Sequence, residues 1–235
     1  MKKTGFLSIF FLFVFLLTPS VQAVGGGDEI FPAYAYEGIL RYDTAGIAAG
    51  TRVRLYEAES GKHYTVGGRR GGGRVRVPWD AITPIEKSVG ALPAVSESDI
   101  LHYAGAHLTS KTDYLLWIDL SRTRVYVLEY ADEGWQLLRT LSCAVGDASH
   151  PTPSGTFEVS YKCASIGKED LYLCRYALCF YGGYMLHSVL FSWGGEDIID
   201  GRMDMRISHG CVRLRYEDSR WLYEAIPTGT TVFIR

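Results

Sequence analysis

"YLLWIDLSRTRVYVLEY", residues 114–130, decides the fold. Its two halves, 114–120 and 124–130, are short and dense in β-branched and aromatic residues. Ser121-Arg122-Thr123 forms a turn between them. Runs of this length and composition are strands rather than helices. The segments downstream keep the same grammar. "GWQLLRTLSCAVG" (134–146) reads as another strand or strand pair, and "GTFEVSYK" (155–162) follows the proline-rich turn "HPTPSG" (150–155). Short aromatic-rich runs continue from Cys163 to Leu186. Only near the end does the period change. "YEDSRWLYEAI" (216–226) is an amphipathic helix, Pro227-Thr228-Gly229 stops it, and "TTVFIR" (230–235) is a last strand. There is no internal repeat. The class is mostly β, with one or two short helices.

Upstream lies a region with different punctuation. "TRVRLYEA" (51–58), "KHYTV" (62–66) and "GRVRVPW" (73–79) are short strands. Gly61 and the run from Gly67 to Gly73 supply tight turns, and Val77 to Ile82 forms a short helical turn. Over residues 24–90 this order resembles a bacterial SH3-like barrel, a module often attached to cell-wall enzymes. The glycine run lacks the Gly-Lys-Ser/Thr ending of a phosphate-binding loop, so its arginines read as a solvated turn. "ITPIEKSVGALPAVSESD" (82–99) loses periodicity, contains two prolines and reads as a linker. "SESDILHYAGAHL" (96–108) follows as a short helix, with Ser96 and Asp99 as a capping pair. Residues 91–112 together are a linker with a short helix, and the second domain runs over 113–235.

Residues 1–23 have the grammar of a secretory signal: Lys2 and Lys3, an apolar run from Phe6 to Leu17, and a small-residue close at Val21-Gln22-Ala23. The run is shorter than the roughly 20 residues a membrane-spanning helix needs. The expected mature chain begins at Val24 and has no membrane anchor. With a formal net charge of −2 overall, and two lysines lost with the signal, affinity for nucleic acid is not expected. Five cysteines, Cys143, Cys163, Cys174, Cys179 and Cys211, leave an odd thiol in an exported protein. The other four pair in three ways or stay as small buried hydrophobes, and the sequence leaves this open. Cys174 and Cys179 have poor spacing for zinc, so no metal is expected.

The chemistry concentrates in "RISHGCVRL" (206–214). A thiol attacks as its thiolate, which a nearby imidazole or an array of donors must stabilise. Two histidines are candidates. His209 belongs to the cysteine's own turn. His187, in "YMLHSVL" (184–190), comes from a separate strand and can approach the sulfur from the side. Gly210 lets the backbone turn sharply, and the amides there can face an oxyanion. On these residues alone, a packing cysteine and a nucleophile stand about even.

"HS" followed by "ISHGCVRL" resembles the signature of the L,D-transpeptidase catalytic domain. "LWIDLSRTRVYVLE" (116–129), "VGDASHPTPSGTFEV" (145–159) and "DSRWLYEAIPTGTTVFI" (218–234) are similar to that family's opening hairpin, turn and closing elements. The intervening "SVLFSWGGEDIIDGRMDMRI" (188–207) carries no family motif. The resemblance implies a β-sandwich and a set of roles. Cys211 attacks the carbonyl between the third and fourth residues of a peptidoglycan stem, His187 is the base, and Ser188 orients it. His209, Gly210 and Cys211 supply the oxyanion hole. Arg213 fits a carboxylate, with a structural ion pair as the alternative, and Ser208, Tyr184 and Trp193 complete the cleft. No cofactor is implied, and the partners are stem peptides of the wall. An amine acceptor gives a 3→3 cross-link; water gives an L,D-carboxypeptidase.

Other classes fit less well. A sortase would show Thr-Leu-x-Thr-Cys, and a papain-like hydrolase would place histidine after the cysteine, where none occurs here. A non-catalytic wall-binding protein would have no use for a His187/Cys211 pair.

Overall fold

The computed structural model describes residues 30–31, 36–59, 62–67, 73–85 and 92–235. The expected signal segment 1–23, most of the glycine run and residues 86–91 lie outside them. The described chain is mostly β, with strands β1 to β17 and two helices. Among the described residues, no helix is long and apolar enough to cross a membrane.

The N-terminal unit is a five-stranded antiparallel sheet. Its strands are β1 (Tyr36–Leu40), β2 (Arg52–Glu59), β3 (His63–Gly67), β4 (Val75–Pro78) and β5 (Ile82–Ile85), in the order β4-β3-β2-β1-β5. A single 3₁₀ turn, Trp79–Ala81, joins β4 to β5. Alternating residues Val53/Leu55, Tyr64/Val66 and Val77 turn inward and are buried with Tyr36 and Leu40, as a sheet with one buried face requires. The start of the expected linker differs from expectation. Ile82–Ile85 pairs with β1, Leu40 opposite Ile82. Pro84 does not prevent this because β5 is an edge strand.

The short helix expected over 96–108 is packed rather than exposed as a tether. Helix α1 (Glu97–His107) starts at Ser96, whose Oγ accepts the Asp99 amide at 3.2 Å. Its buried Ile100 and Ala104, with Leu108, pack on Leu115, Trp117, Tyr126 and Leu128. Those residues lie on one face of the hairpin β6 (Tyr114–Asp119) and β7 (Arg124–Ala131). The opposite face carries Leu116, Ile118, Val125 and Val127 into the main core. Burial on both faces explains why this hairpin reads as a continuous apolar run rather than an alternating one.

The remaining strands extend the hairpin into a twelve-stranded sheet. They are β8 (Gly134–Gly146), β9 (Gly155–Glu158), β10 (Tyr161–Lys168), β11 (Tyr172–Tyr181), β12 (Tyr184–Ser188), β13 (Leu190–Phe191), β14 (Ile198–Asp200), β15 (Arg206–Ser208), β16 (Val212–Leu214) and β17 (Thr231–Ile234). The path runs β14-β13-β11-β12-β16-β8-β7-β6-β17-β9, with β10 beside β11 and β15 beside β8. Segment 134–146 is one long strand with a bulge opposite Val127/Leu128. The sheet folds over on itself into a sandwich. Phe157 of β9 touches the rings of Phe180 and Tyr181 of β11 at centroid distances of 5.7 and 4.9 Å. Helix α2 (Tyr216–Ala225) packs its buried Leu222 into the same core, and Lys162 Nζ donates to the carbonyls of Tyr223 and Ile226 at its end.

The two sheets meet along the loop that follows β8. Tyr36 Oη donates to the Gly146 carbonyl and Tyr64 Oη to the Ser149 carbonyl, each at 2.8 Å. The Ser154 amide donates to Tyr56 O at 3.0 Å. Gly146 makes the loop's tight return: its amide donates to Thr152 Oγ1 at 2.9 Å. A Cβ there would lie 2.0 Å from His150 O and 2.6 Å from Thr152 N, both backbone atoms with nowhere to go. Gly146→Ala is therefore expected to lower unfolding free energy by about 2–4 kcal/mol, the range of a buried steric conflict. Urea denaturation measures it, and a change below 0.5 kcal/mol would mean the loop is not held as described.

Candidate active site

The site is built on two parallel neighbours, β12 and β16. Leu186 lies opposite Val212, His187 opposite Arg213 and Ser188 opposite Leu214. With a side-chain period of two, Met185 and His187 share a face with Cys211 and Arg213. The Met185 amide hydrogen-bonds the Cys211 sulfur. Beyond it, Met185, Ala177, Cys179, Cys163 and Ile166 form a small apolar cluster against which Cys211 packs. All five cysteines are free thiols, and Cys143, Cys174 and Cys179 are buried.

His187 is buried, 6% exposed. Its Nδ1 lies 2.7 Å from the Ser188 carbonyl oxygen. A carbonyl only accepts, so Nδ1 carries the proton and Nε2 keeps its lone pair. The Ser188 hydroxyl is locked in turn: it accepts the Arg175 amide and donates to Val189 O, both at 2.8 Å. Burial lowers the His187 pKa from 6.5 to about 4; the Ser188 bond opposes this and the Arg213 charge adds to it. Burial likewise raises the Cys211 thiol above its ordinary value, against the Met185 amide. Both groups are thus held toward their neutral forms.

The turn before β16 is fixed by Ser208. Its hydroxyl donates to Cys211 O at 2.6 Å and accepts the Gly210 amide at 3.1 Å. The Gly210 amide is therefore engaged within the turn in this structure. The residue's contribution is conformational. Its φ is +107°, and a Cβ would meet Tyr184 Cε1 at 2.3 Å. The Tyr184 ring thus packs closely against the turn, parallel to Tyr181.

Arg213 is buried, with Nη1 3.0 Å from Asp200 Oδ2. Asp200 also accepts from Arg202, at 3.0 Å to Nε and 2.9 Å to Nη2. Two guanidinium groups share one carboxylate, whose pKa they hold well below the ordinary range, Arg202 first. Trp193 is 44% exposed and stands over Gly167. Asp200 carried no signal in the sequence, lying in a stretch without a motif. His209 is exposed, and its ring meets that of His150 edge-on at 4.6 Å. His150 was visible only as part of a turn.

The chain belongs to the YkuD family of L,D-transpeptidase catalytic domains, whose model matches residues 113–234, just over half of its length. L,D-transpeptidase 1 of Mycobacterium tuberculosis is 24% identical over 106 residues, covering 41% of this chain and 42% of that protein. The putative L,D-transpeptidase YciB of Bacillus subtilis is 28% identical over 128 residues, covering 51% and 65%. The chain thus spans less than two thirds of either relative. A Clostridium acetobutylicum structure described as a fused Zn-dependent amidase/peptidase/peptidoglycan-binding domain-containing protein superimposes with a TM-score of 0.51 at 28% identity, covering 59% of each chain.

The buried imidazole sets a pH dependence of stability. An unfolded histidine takes up its proton as pH falls through about 6.5, the folded one only near 4. The unfolded chain binds more protons between those values, so stability present at pH 7 is lost as pH falls from 6.5 to 4. The depression corresponds to about 3 kcal/mol. His187→Gln should lose less stability between pH 7 and pH 4.5 than the wild type, read by denaturant titration at both. Equal losses would show that His187 is not held neutral.

Proposed function

We propose that this protein is an exported L,D-transpeptidase in which Cys211 is the nucleophile and His187 the base. The observation that carries the reading is the His187 imidazole: buried, tied through Nδ1 to Ser188 O, and on the face of β12 that adjoins Cys211. The donor substrate is a peptidoglycan stem tetrapeptide. The Cys211 thiol proton passes to His187 Nε2 as the sulfur attacks the carbonyl between residues 3 and 4. The amides of His209 and Cys211 are the donors we assign to the oxyanion, since Gly210's is engaged. Collapse breaks the peptide bond, and His187 returns the proton to the departing amine of D-alanine. A thioester remains. The amine of a second stem's third residue then attacks it, forming the 3→3 amide and restoring the thiol.

A neutral resting pair suits this cycle, because proton transfer and attack are coupled and no buried ion pair is stored beforehand. Burial of the imidazole keeps it unprotonated at neutral pH and ready to accept. Arg213 and Arg202 share Asp200, and we assign their surplus positive charge to a stem carboxylate. Residues 24–90 are read as an SH3-like module for the wall, and residues 1–23 as the cleaved export signal; the substrate lies outside the cytoplasm, where such a signal would deliver the enzyme.

The decisive experiment incubates the protein with a defined disaccharide-tetrapeptide and analyses products by mass. A cross-linked dimer with loss of D-alanine supports the transpeptidase. Free tripeptide alone identifies water as acceptor and the enzyme as a carboxypeptidase. No turnover, with no covalent adduct to a carbapenem-type β-lactam, would overturn the reading. Cys211→Ala should remove all adduct with the fold intact by circular dichroism. His187→Ala should cut the acylation rate at least about 100-fold, the scale of a lost general base. His209→Ala should cost less, since its backbone amide remains. Reversal of the two histidine results would reassign the base.

A further inference from the structure

The Ser208–Cys211 turn is supported from two sides. On the inner side is the Ser208 hydroxyl, already described. On the outer side a row of rings leads away from His209. Its ring meets His150 edge-on at 4.6 Å. His150 is pinned to Asp147 by its amide at 2.7 Å and by Nδ1 at 3.0 Å. Its other neighbour is Trp79, tilted at 5.5 Å. Trp79 is stacked on Tyr64 at 4.5 Å with 10° between the planes. Tyr64 is buried in the N-terminal sheet and donates to Ser149 O, inside the same loop. The loop's backbone closes the circuit, since the Asp147 amide donates to Ser208 O at 2.9 Å.

We infer that the N-terminal sheet is a working part of the catalytic site, with Trp79, acting through His150, as a positioning residue for the His209–Cys211 turn. This rests on the reading of Cys211 as the nucleophile. A module that only tethers the enzyme to its polymer needs neither a shared core nor an aromatic path to the reacting turn. Here the main apolar cluster contains Tyr36, Tyr64 and Val77 together with Leu116, Val145 and Leu186. Three backbone groups of the 146–154 loop are held by Tyr36, Tyr56 and Tyr64. Aromatic pairs carry directional preferences beyond their buried area, so the row fixes the His150 ring and not merely its depth. Oxyanion donors must sit where charge develops, and a misplacement of 1 Å costs about 100-fold. A small drift of His209 is therefore enough to slow acylation.

The test measures the rate of adduct formation as a function of carbapenem concentration, by intact mass, for the full chain and for Trp79→Ala, Trp79→Phe, His150→Ala and the double alanine variant. Melting temperature is recorded for each. The expected result is about a tenfold loss for Trp79→Ala and for His150→Ala. Trp79→Phe should recover most of the rate, and the double variant should be no worse than the worse single one, because the two act in series. The loss should fall on the rate at saturation and leave the half-saturating concentration unchanged. If Trp79→Ala fails to fold, His150→Ala tests the same contact from the catalytic side. Wild-type rates in both folded variants, or losses that multiply in the double variant, overturn the inference. A wild-type protein that forms no adduct instead overturns the underlying assignment of Cys211, and the inference with it.

Discussion

The parallel pairing of β12 with β16 is the constraint on which the site depends. Strands that run the same way cannot be joined by a tight turn; the chain must leave one and return to the start of the other. Residues 189–211 make that journey, and on the way they lay down β13, β14 and β15. The register then decides the chemistry. A slip of one residue would turn Cys211 and Arg213 to the opposite face from His187. The register is held by the buried Leu186 and Val212 on the core side, where a slip would replace them with polar groups.

Electrostatics follow from that burial. His187 and Cys211 both prefer their uncharged forms, because burial penalises the charge on each. The charged groups lie one step away, where Arg213 and Arg202 share Asp200. The uncharged His187 and Cys211 thus lie apart from the Arg213–Asp200–Arg202 charge cluster. A thiolate–imidazolium pair kept at rest in the same pocket would have to overcome two desolvation penalties with one attraction.

The parts of this arrangement that were legible in the sequence are those whose signals are local. The hairpin 114–130 announced itself because both its faces are buried. Helix α1 was marked by its Ser96 cap, and the Ser-His-Gly-Cys turn by the coincidence of a hydroxyl, an imidazole, a glycine and a thiol in four residues. Other parts depend on tertiary pairing. "ITPI" (82–85) looked like a linker because it holds a proline, and only its place at a sheet edge makes it a strand. β13 to β15 are two or three residues long, below what any periodicity can show. The Asp200–Arg213 ion pair joins residues thirteen apart with no pattern between them. The engaged amide of Gly210 was illegible for the same reason: its acceptor is a side chain whose rotamer no sequence shows.

β17 sits between β6 and β9, paired with Leu115–Ile118 on one side and Gly155–Glu158 on the other. It follows all the other described strands in sequence, yet it is interior to the sheet. During synthesis, β6 and β9 therefore expose open ladders until residues 231–234 have left the ribosome. Pairings this distant in sequence form slowly, and bare strand edges recruit other chains. β17 thus closes the ladder between β6 and β9, like the keystone of an arch. A translation product cut short there retains the whole Ser208–Cys211 turn and lacks the strand that closes the sheet around it.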